Sequence, residues 1–180
     1  MAAAALLANL EVLATVDPSE QRPFLEASLR QARRLASLVG DLLDLVRLES
    51  GRSSLRAEPV PVGPIAAQVV DEQVDDESQG PVTVEDTAAV ARGDPTAIHQ
   101  VLTNLVSNAL RYAAGPVVVR AVSQGHVVRI EVCDRGPGVP AEHVPHLFER
   151  FYRVDVPESR NRGGTGLGLA IVKHILNRHR

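Results

Sequence analysis

Apolar residues along the first fifty positions recur at helical spacing, not at the alternation of a strand. Leu6, Leu10 and Leu13 make one stripe through residues 2–16, which predicts an amphipathic helix. Asp17, Pro18 and Ser19 read as a turn, with Ser19 placed to cap the next helix. From Ser19 to Glu49 the pattern predicts one long helix, because Leu25, Leu29, Ala32, Leu35, Val39, Leu42 and Leu45 or Val46 fall at three- and four-residue steps. Such a stripe needs a partner. A helical hairpin that dimerises into a four-helix bundle satisfies it; packing of the helical pair on the chain's own second domain is the alternative.

The character changes at Ser50–Pro64, where Gly51, Ser53, Ser54, Pro59, Pro61 and Pro64 predict a linker, with one irregular edge strand over Leu55–Val62. Beyond it the pattern is mixed. Ile65–Glu77 reads as a helix, and Pro81–Glu85 and Ala89–Arg92 as short strands. Asp94–Ala113 is the strongest helix: Asp94 is a good N-cap, Pro95 suits the first position, and Ile98, Val101, Leu102, Leu105 and Leu110 fall at helical spacing. Val117–Ser123 and Val127–Cys133 are β-rich runs around Gln124-Gly125, a hairpin signal. Pro137–Arg153 reads as loop with at most a short helical turn, Asp155–Thr165 as polar loop, and Gly166–Arg178 as a final helix. The predicted organisation is α+β: a helical hairpin over residues 1–50, a linker or edge strand over 51–62, and an α/β domain over 63–180.

Composition narrows the picture. A net charge of -3 with scattered arginines argues against nucleic-acid binding. Cys133 is the single cysteine, which rules out an internal disulfide or a cysteine metal cage and fits a reducing compartment. Tryptophan is absent and aromatics make up 3%, so the core must be built from Leu, Val, Ile and Ala. The apolar start, residues 1–14, is short, lacks a basic leader and carries Asn9 and Glu11, so it is expected to be neither a membrane span nor a signal peptide.

Three features carry candidate chemistry. Asn104 and Asn108 sit one turn apart inside the strongest helix. Asparagine is poor there because its amide competes with the backbone, and a pair at i and i+4 shares one face. Solvent-facing or packing amides are the plain alternative. Asp134-Arg135-Gly136-Pro137-Gly138 ends a strand: a carboxylate there can accept a hydrogen bond from an exocyclic amine, while bare backbone lets a ring approach. Gly136, Gly138 and Ala141 also match the dinucleotide fingerprint by letter, but Pro137 and Pro140 spoil the helix it requires. Gly163, Gly164, Gly166 and Gly168 lead into the final helix, where free N–H groups and the positive dipole end suit phosphates; no Gly-Lys-Ser/Thr comes after them, so it is not a P-loop.

In order, these are Asn-x3-Asn on a helix, Asp-x-Gly-x-Gly after a strand and Gly-x-Gly-x-Gly opening a helix, with Phe148-Glu149-Arg150-Phe151-Tyr152-Arg153 between the glycine groups. This arrangement resembles the ATP-binding half of sensor histidine kinases, in the superfamily shared with gyrase, mismatch-repair ATPases and the large heat-shock chaperone. The resemblance covers residues 5–179, and Ser50-Gly51 looks like the family's exit from its dimerisation hairpin. It implies a two-layer α/β sandwich behind an antiparallel hairpin, with ATP and Mg2+ as ligands. Asn108 is then the magnesium ligand and Asn104 supports the phosphate–metal cluster. Arg111 lies over the phosphates, and Tyr112 stacks on adenine. Asp134 accepts the adenine amino group, with Gly136 and Gly138 shaping its pocket. Arg162 reaches the γ-phosphate, and Gly164, Thr165, Gly166, Leu167 and Gly168 line the phosphate chain, Asp155–Thr165 being the nucleotide lid. Hydrolytic relatives carry a glutamate where Asn104 stands; an amide cannot be a general base, which favours kinase over ATPase.

Two departures emerge from the same resemblance. No histidine precedes His99, and residues 5–14 look like the stretch just after the family's acceptor box, so no catalytic acceptor is assigned. His99, His126, His143, His146, His174 and His179 read as surface or packing histidines. Family members also continue past the final helix with further strands, so an isolated domain ending at Arg180 is expected to be marginal. Three functions result. The first is a kinase half acting on a histidine of a partner kinase chain, which then serves a response regulator. The second is an ATP-binding remnant that dimerises with or titrates a full kinase. The third, an anti-sigma-like serine kinase, is disfavoured by the hairpin. The expected form is a homo- or heterodimer through the hairpin, cytoplasmic and peripheral to a membrane-bound partner.

Overall fold

The structure, a computed structural model, describes residues 2–13, 15–17, 20–49, 56–73, 81–85, 87–112, 115–154 and 164–179. They form two compact units, one of Met1–Val46 with Asp155–Thr165 and one of Arg47–Val154 with Gly166–Arg180.

In the first unit, α1 spans Ala2–Leu13 and α2 begins at Gln21 and runs to Glu49. Ser19, the expected cap, and the Ser50-Gly51 exit lie outside the described residues. The predicted stripe stays open in the single chain: Leu10, Leu25, Leu29, Val39, Leu42 and Val46 are all exposed, whereas Leu45 is buried. No helix among the described residues is long and apolar enough to cross a membrane.

The second unit is α+β, with helices layered on strands. Strand β1 (Glu58–Pro61) pairs antiparallel with β3 (Val90–Gly93), Val60 facing Ala91. Strand β2 (Val82–Val84) runs parallel to β4 (Val117–Gln124), which pairs antiparallel with β5 (Val127–Cys133). The turn between β4 and β5 is two residues, with Gly125 at φ +61°, the left-handed position that suits the twist of a tight hairpin. Along β4 the buried residues alternate as Val117, Val119 and Ala121, the period of a strand with one face on the core.

Two helices cover that face, and a third packs against the second of them. In α3 (Val62–Gln73), Val62, Ala66 and Val69 are buried. This helix starts earlier than its sequence suggests, so the expected strand to Val62 stops at Pro61 and Pro64 sits in the first helical turn, where its missing N–H costs nothing. The Val62 N–H is satisfied by the Ala89 carbonyl at 3.0 Å. In α4 (Pro95–Tyr112) the buried face is Ala97, Ile98, Val101, Leu102, Val106 and Ala109. Leu105 and Leu110 are only half-buried; the stripe Ile98, Leu102, Val106, Ala109 keeps the 3.6-residue period more closely and takes the core. In α5 (Gly168–Arg178), Ala170, Ile171, Val172 and Ile175 are buried, and Gly166 and Leu167, expected inside the helix, form the turn before it.

Asp94 caps α4. Its Oδ1 accepts the N–H groups of Thr96 at 2.9 Å and Ala97 at 3.2 Å, and its Oδ2 accepts that of Arg56 at 3.1 Å. The Asp94 N–H donates to Nε2 of His179 at 3.3 Å, while Nδ1 of His179 meets the Ile175 carbonyl at 2.9 Å. A backbone N–H can only donate and a carbonyl can only accept, so the neutral form of His179 that bridges the two carries its proton on Nδ1. Burial raises the Asp94 carboxyl, but the N–H groups of Arg56, Ala97 and Thr96 and the neighbouring His179 together hold it below its ordinary value of 3.8.

Replacing Asp94 by Ala removes the two oxygens that accept three N–H groups and is expected to cost about 1–2 kcal/mol in urea unfolding. Because its folded pKa is depressed, the charge of Asp94 stabilises the fold above pH 3.8, and that contribution is lost as pH falls through the lower folded value. The gap between wild type and Asp94→Asn, which keeps a cap without a charge, should therefore close on acidification; a gap independent of pH would contradict the assignment.

Candidate functional site

Helix α4 is the spine of the candidate site. At about 100° per residue its core stripe centres near Leu102, and Asn104, Asn108, Arg111 and Tyr112 fall within a sector of roughly 100° beside it. All four are half-buried. Nδ2 of Asn104 donates to the Gln100 carbonyl at 2.9 Å, which settles which end of the amide is oxygen and turns Oδ1 the other way.

That oxygen meets the start of α5. A Cβ placed on Gly168 would lie 2.8 Å from Oδ1 of Asn104, so only glycine lets the two helices come this close. Leu167 precedes α5 without a side-chain cap, and the first bond of the helix runs from the Ile171 N–H to the Leu167 carbonyl at 2.9 Å. The N–H groups of the first turn have no acceptor within the helix and stand beside the Asn104 amide, an arrangement suited to a negatively charged group. The Leu167 side chain itself is buried at 1% exposure, so it anchors this turn in the core.

The other end of α4 meets the aspartate turn. The Gly136 N–H donates to Oδ1 of Asp134 at 2.7 Å, which fixes the carboxylate and leaves its second oxygen as an acceptor. A Cβ on Gly136 would lie 2.9 Å from the Tyr112 carbonyl oxygen and 2.8 Å from Oδ1 of Asp134. Asp134 is exposed at the end of β5, and Gly138, at φ +74°, has open space around it. The two glycine contacts, at Asn104 and at Tyr112, are eight residues apart along α4, about 12 Å at 1.5 Å per residue.

A third contact goes beyond anything the sequence pattern predicts. Phe151 has φ +61°, a costly conformation for an aromatic residue, and its N–H donates to the Gly166 carbonyl at 2.9 Å. Gly166 itself has φ +74°, and a Cβ there would sit 2.8 Å from Cα and C of Phe151. The phenylalanine-containing motif thus clasps the glycine turn through its backbone, with the Phe151 side chain 61% exposed. Nearby, Nδ1 of His143 bonds the Tyr152 hydroxyl at 2.7 Å and Nδ1 of His146 bonds Glu149 at 2.7 Å, packing roles in keeping with the sequence. No periodicity or motif spacing encodes a positive φ at phenylalanine, so the clasp has no signal in the sequence.

Not every expected residue joins this group. Arg111, with Gln73, Ser107 and Leu110, lines an open depression of about 240 Å³ between α3 and α4. Gly164 and Thr165 belong to the first unit, where the Thr165 hydroxyl donates to Asp41. Arg162 and Gly163 lie outside the described residues.

Gly166 and Gly138 share φ +74°, but only Gly166 is crowded. Gly138→Ala should cost about 1 kcal/mol of backbone strain, and Gly166→Ala a further ~1–3 kcal/mol for overlap with Phe151, read by urea unfolding. Equal costs at the two positions would show that the close approach is not tight.

Comparison with known proteins places this geometry in a family. The family model for histidine kinase-, DNA gyrase B- and HSP90-like ATPases matches residues 93–180. The His Kinase A (phospho-acceptor) domain model matches residues 4–51, a stretch without histidine in this sequence. The sensor-like histidine kinase SenX3 of Mycolicibacterium smegmatis is 35% identical over 98% of this chain and 47% of its own length. The phosphate regulon sensor protein PhoR of Pseudomonas aeruginosa is 36% identical over 97% of this chain and 40% of its own. The chain therefore spans less than half the length of these two relatives. Among solved structures, the histidine kinase AdeS of Acinetobacter baumannii superposes with a TM-score of 0.78 at 26% identity, over 98% of this chain and 84% of that one. With both domain matches in the expected order, and an α4 that meets Gly168 at one end and Gly136 at the other, the chain belongs to the sensor histidine kinase family.

Proposed function

We propose that this chain binds Mg-ATP on α4 and passes the γ-phosphoryl group to a histidine on a partner kinase chain, which in turn serves a response regulator. The observation that carries the reading is the double close approach to α4. A carboxylate with a free acceptor oxygen lies at one end and uncapped helix N–H groups at the other, against points of α4 about 12 Å apart along its axis. An adenine amine suits the first, and a polyphosphate the second.

The residue roles come from donor chemistry. Asp134, held by the Gly136 N–H, accepts the adenine amine. The α5 N-terminus, entered through Gly166 and Gly168, receives phosphate oxygens beside Asn104, with Arg162 as the expected source of positive charge. Asn108 offers an amide oxygen, the hard ligand that magnesium prefers. Among the described residues no three His, Cys, Asp or Glu side chains gather to hold a metal. An ion at Asn108 would thus take most of its ligands from phosphate and water, the usual way magnesium enters such sites. Magnesium held there would supply charge neutralisation for phosphoryl transfer; the chain's part is to position the groups. With an amide at residue 104, that position offers no general base to activate water, which supports transfer over hydrolysis.

The exposed leucine and valine stripe of α1 and α2 supports dimerisation through the hairpin, with a second copy or with the histidine-bearing chain. A cytoplasmic setting, beside a membrane-bound partner, suits the single exposed cysteine and the substrate.

Incubation with labelled ATP and a kinase chain bearing an acceptor histidine should yield acid-labile label on that chain. Asp134→Asn should weaken nucleotide binding roughly ten- to hundredfold, and Asn108→Ala should remove its magnesium dependence. Nucleotide binding without transfer to any acceptor would favour a non-catalytic remnant that titrates a full kinase, and no nucleotide binding at all would refute both.

A further inference from the structure

Helix α5 meets α4 at both of its ends, and the proposed function uses only the first, where Gly168 lies against Oδ1 of Asn104. At the far end stands His179, the C-cap, whose backbone N–H donates to the Leu176 carbonyl at 3.2 Å and whose Nδ1 meets the Ile175 carbonyl at 2.9 Å. Its own helix thus orients the ring and directs Nε2 to the Asp94 N–H, which it accepts at 3.3 Å. The ring lies against the chain entering α4: a Cβ on Gly93 would be 3.0 Å from both Nε2 and Cδ2 of His179. All of these residues belong to the unit of Arg47–Val154 with Gly166–Arg180.

We propose that His179 is a positioning residue for the nucleotide: it sets how far α5 reaches along α4, and so where the phosphate-facing N–H groups stand beside Asn104. The inference rests on the nucleotide reading of the α5 turn. Its geometry is one of two matched spans. Asp94 and Asn104 are ten positions apart and Gly168 and His179 eleven, about 15 and 16 Å at 1.5 Å per residue. The two helices therefore run antiparallel over this length, and an axial shift of α5 at one end is carried to the other. Ala170, Ile171, Val172 and Ile175 are buried along the helix between the two contacts. Their attraction is non-directional, so it holds α5 down and leaves its axial register to directional contacts. Phe151 holds the turn before α5 through Gly166, but that glycine, at φ +74°, is a pliable link to the helix. The bond from the Asp94 N–H to His179 supplies the missing constraint from the opposite end. A misplacement near 1 Å is enough to weaken a pre-formed site, so an anchor remote from the phosphates still governs them.

The test uses the 180-residue chain and separates the two ends of the nucleotide. In equilibrium titrations, His179→Ala should bind Mg-ATP about twofold to tenfold more weakly than wild type, the range of one neutral hydrogen bond. Adenosine has no phosphates to place, so its affinity should stay at the wild-type value, whereas a general loosening of the fold would lower both. His179→Gln, whose amide oxygen can still accept the Asp94 N–H, should recover most of the Mg-ATP affinity. If the alanine variant folds poorly, Gly93→Ala, which keeps the histidine and displaces its ring, should show the same selective loss. An unchanged Mg-ATP affinity, an equal loss for adenosine, or no recovery in the glutamine variant would overturn the proposal and leave the nucleotide reading intact. Failure of the wild type to bind Mg-ATP would overturn the nucleotide reading first, and this proposal with it.

Discussion

The site depends on two glycines that let the backbone pass close to α4. Gly168 meets Asn104 and Gly136 meets Tyr112, and at each point a Cβ would come within 3 Å of atoms already there. Contacts this close hold α5 and the aspartate turn near α4: the Gly136 contact is to the Tyr112 backbone, and the Gly168 contact is to an Asn104 amide whose Nδ2 is tied to the Gln100 carbonyl. They also tie the site to the core. Ile98, Leu102, Val106 and Ala109 are buried, so α4 cannot rotate about its axis without exposing them. With the rotation fixed, the neighbouring sector that carries Asn104 and Asn108 is fixed too.

Close approach and strain occur together here. Phe151 holds φ +61° against an unfavourable steric preference, and the surrounding structure keeps it there through a bond to Gly166. Asn104, a poor helix former, spends its Nδ2 on the Gln100 carbonyl one turn back, which orders the amide at some loss of helix stability. Glycine adds the conformational entropy lost when its free backbone is ordered. A sequence selected for stability alone would replace each of these three with a better local choice. Asn104, Gly136 and Gly168 meet along α4, and Phe151 holds the turn before α5, as a pre-formed binding surface requires.

Much of the fold is legible in the sequence. Asp94 capping α4, the hairpin around Gly125 and the buried alternation of β4 all arise from local chemistry, because the signals act within four residues of where they are read. The start of α3 is not, because Pro64 reads as a breaker although the first turn of a helix tolerates it. Nor is the choice of Val106 and Ala109 over Leu105 and Leu110 for the core: residue size suggests leucine, while the helical period and the room between α4 and its neighbours decide otherwise. Within the site, the residue types and their order are readable, but the contacts are not. That Gly136 sits against Tyr112, and that Phe151 holds Gly166, are long-range facts with no periodic trace.

The site holds little charge at its centre. Two neutral amides sit where a metal-binding or hydrolytic centre would place carboxylates, and no acidic cluster for a metal occurs among the described residues. A site of this kind gives a bare divalent cation little to bind, since amide oxygens carry only partial charge. On the proposed function, ion and nucleotide must therefore arrive together, the phosphates supplying the charge that the protein withholds.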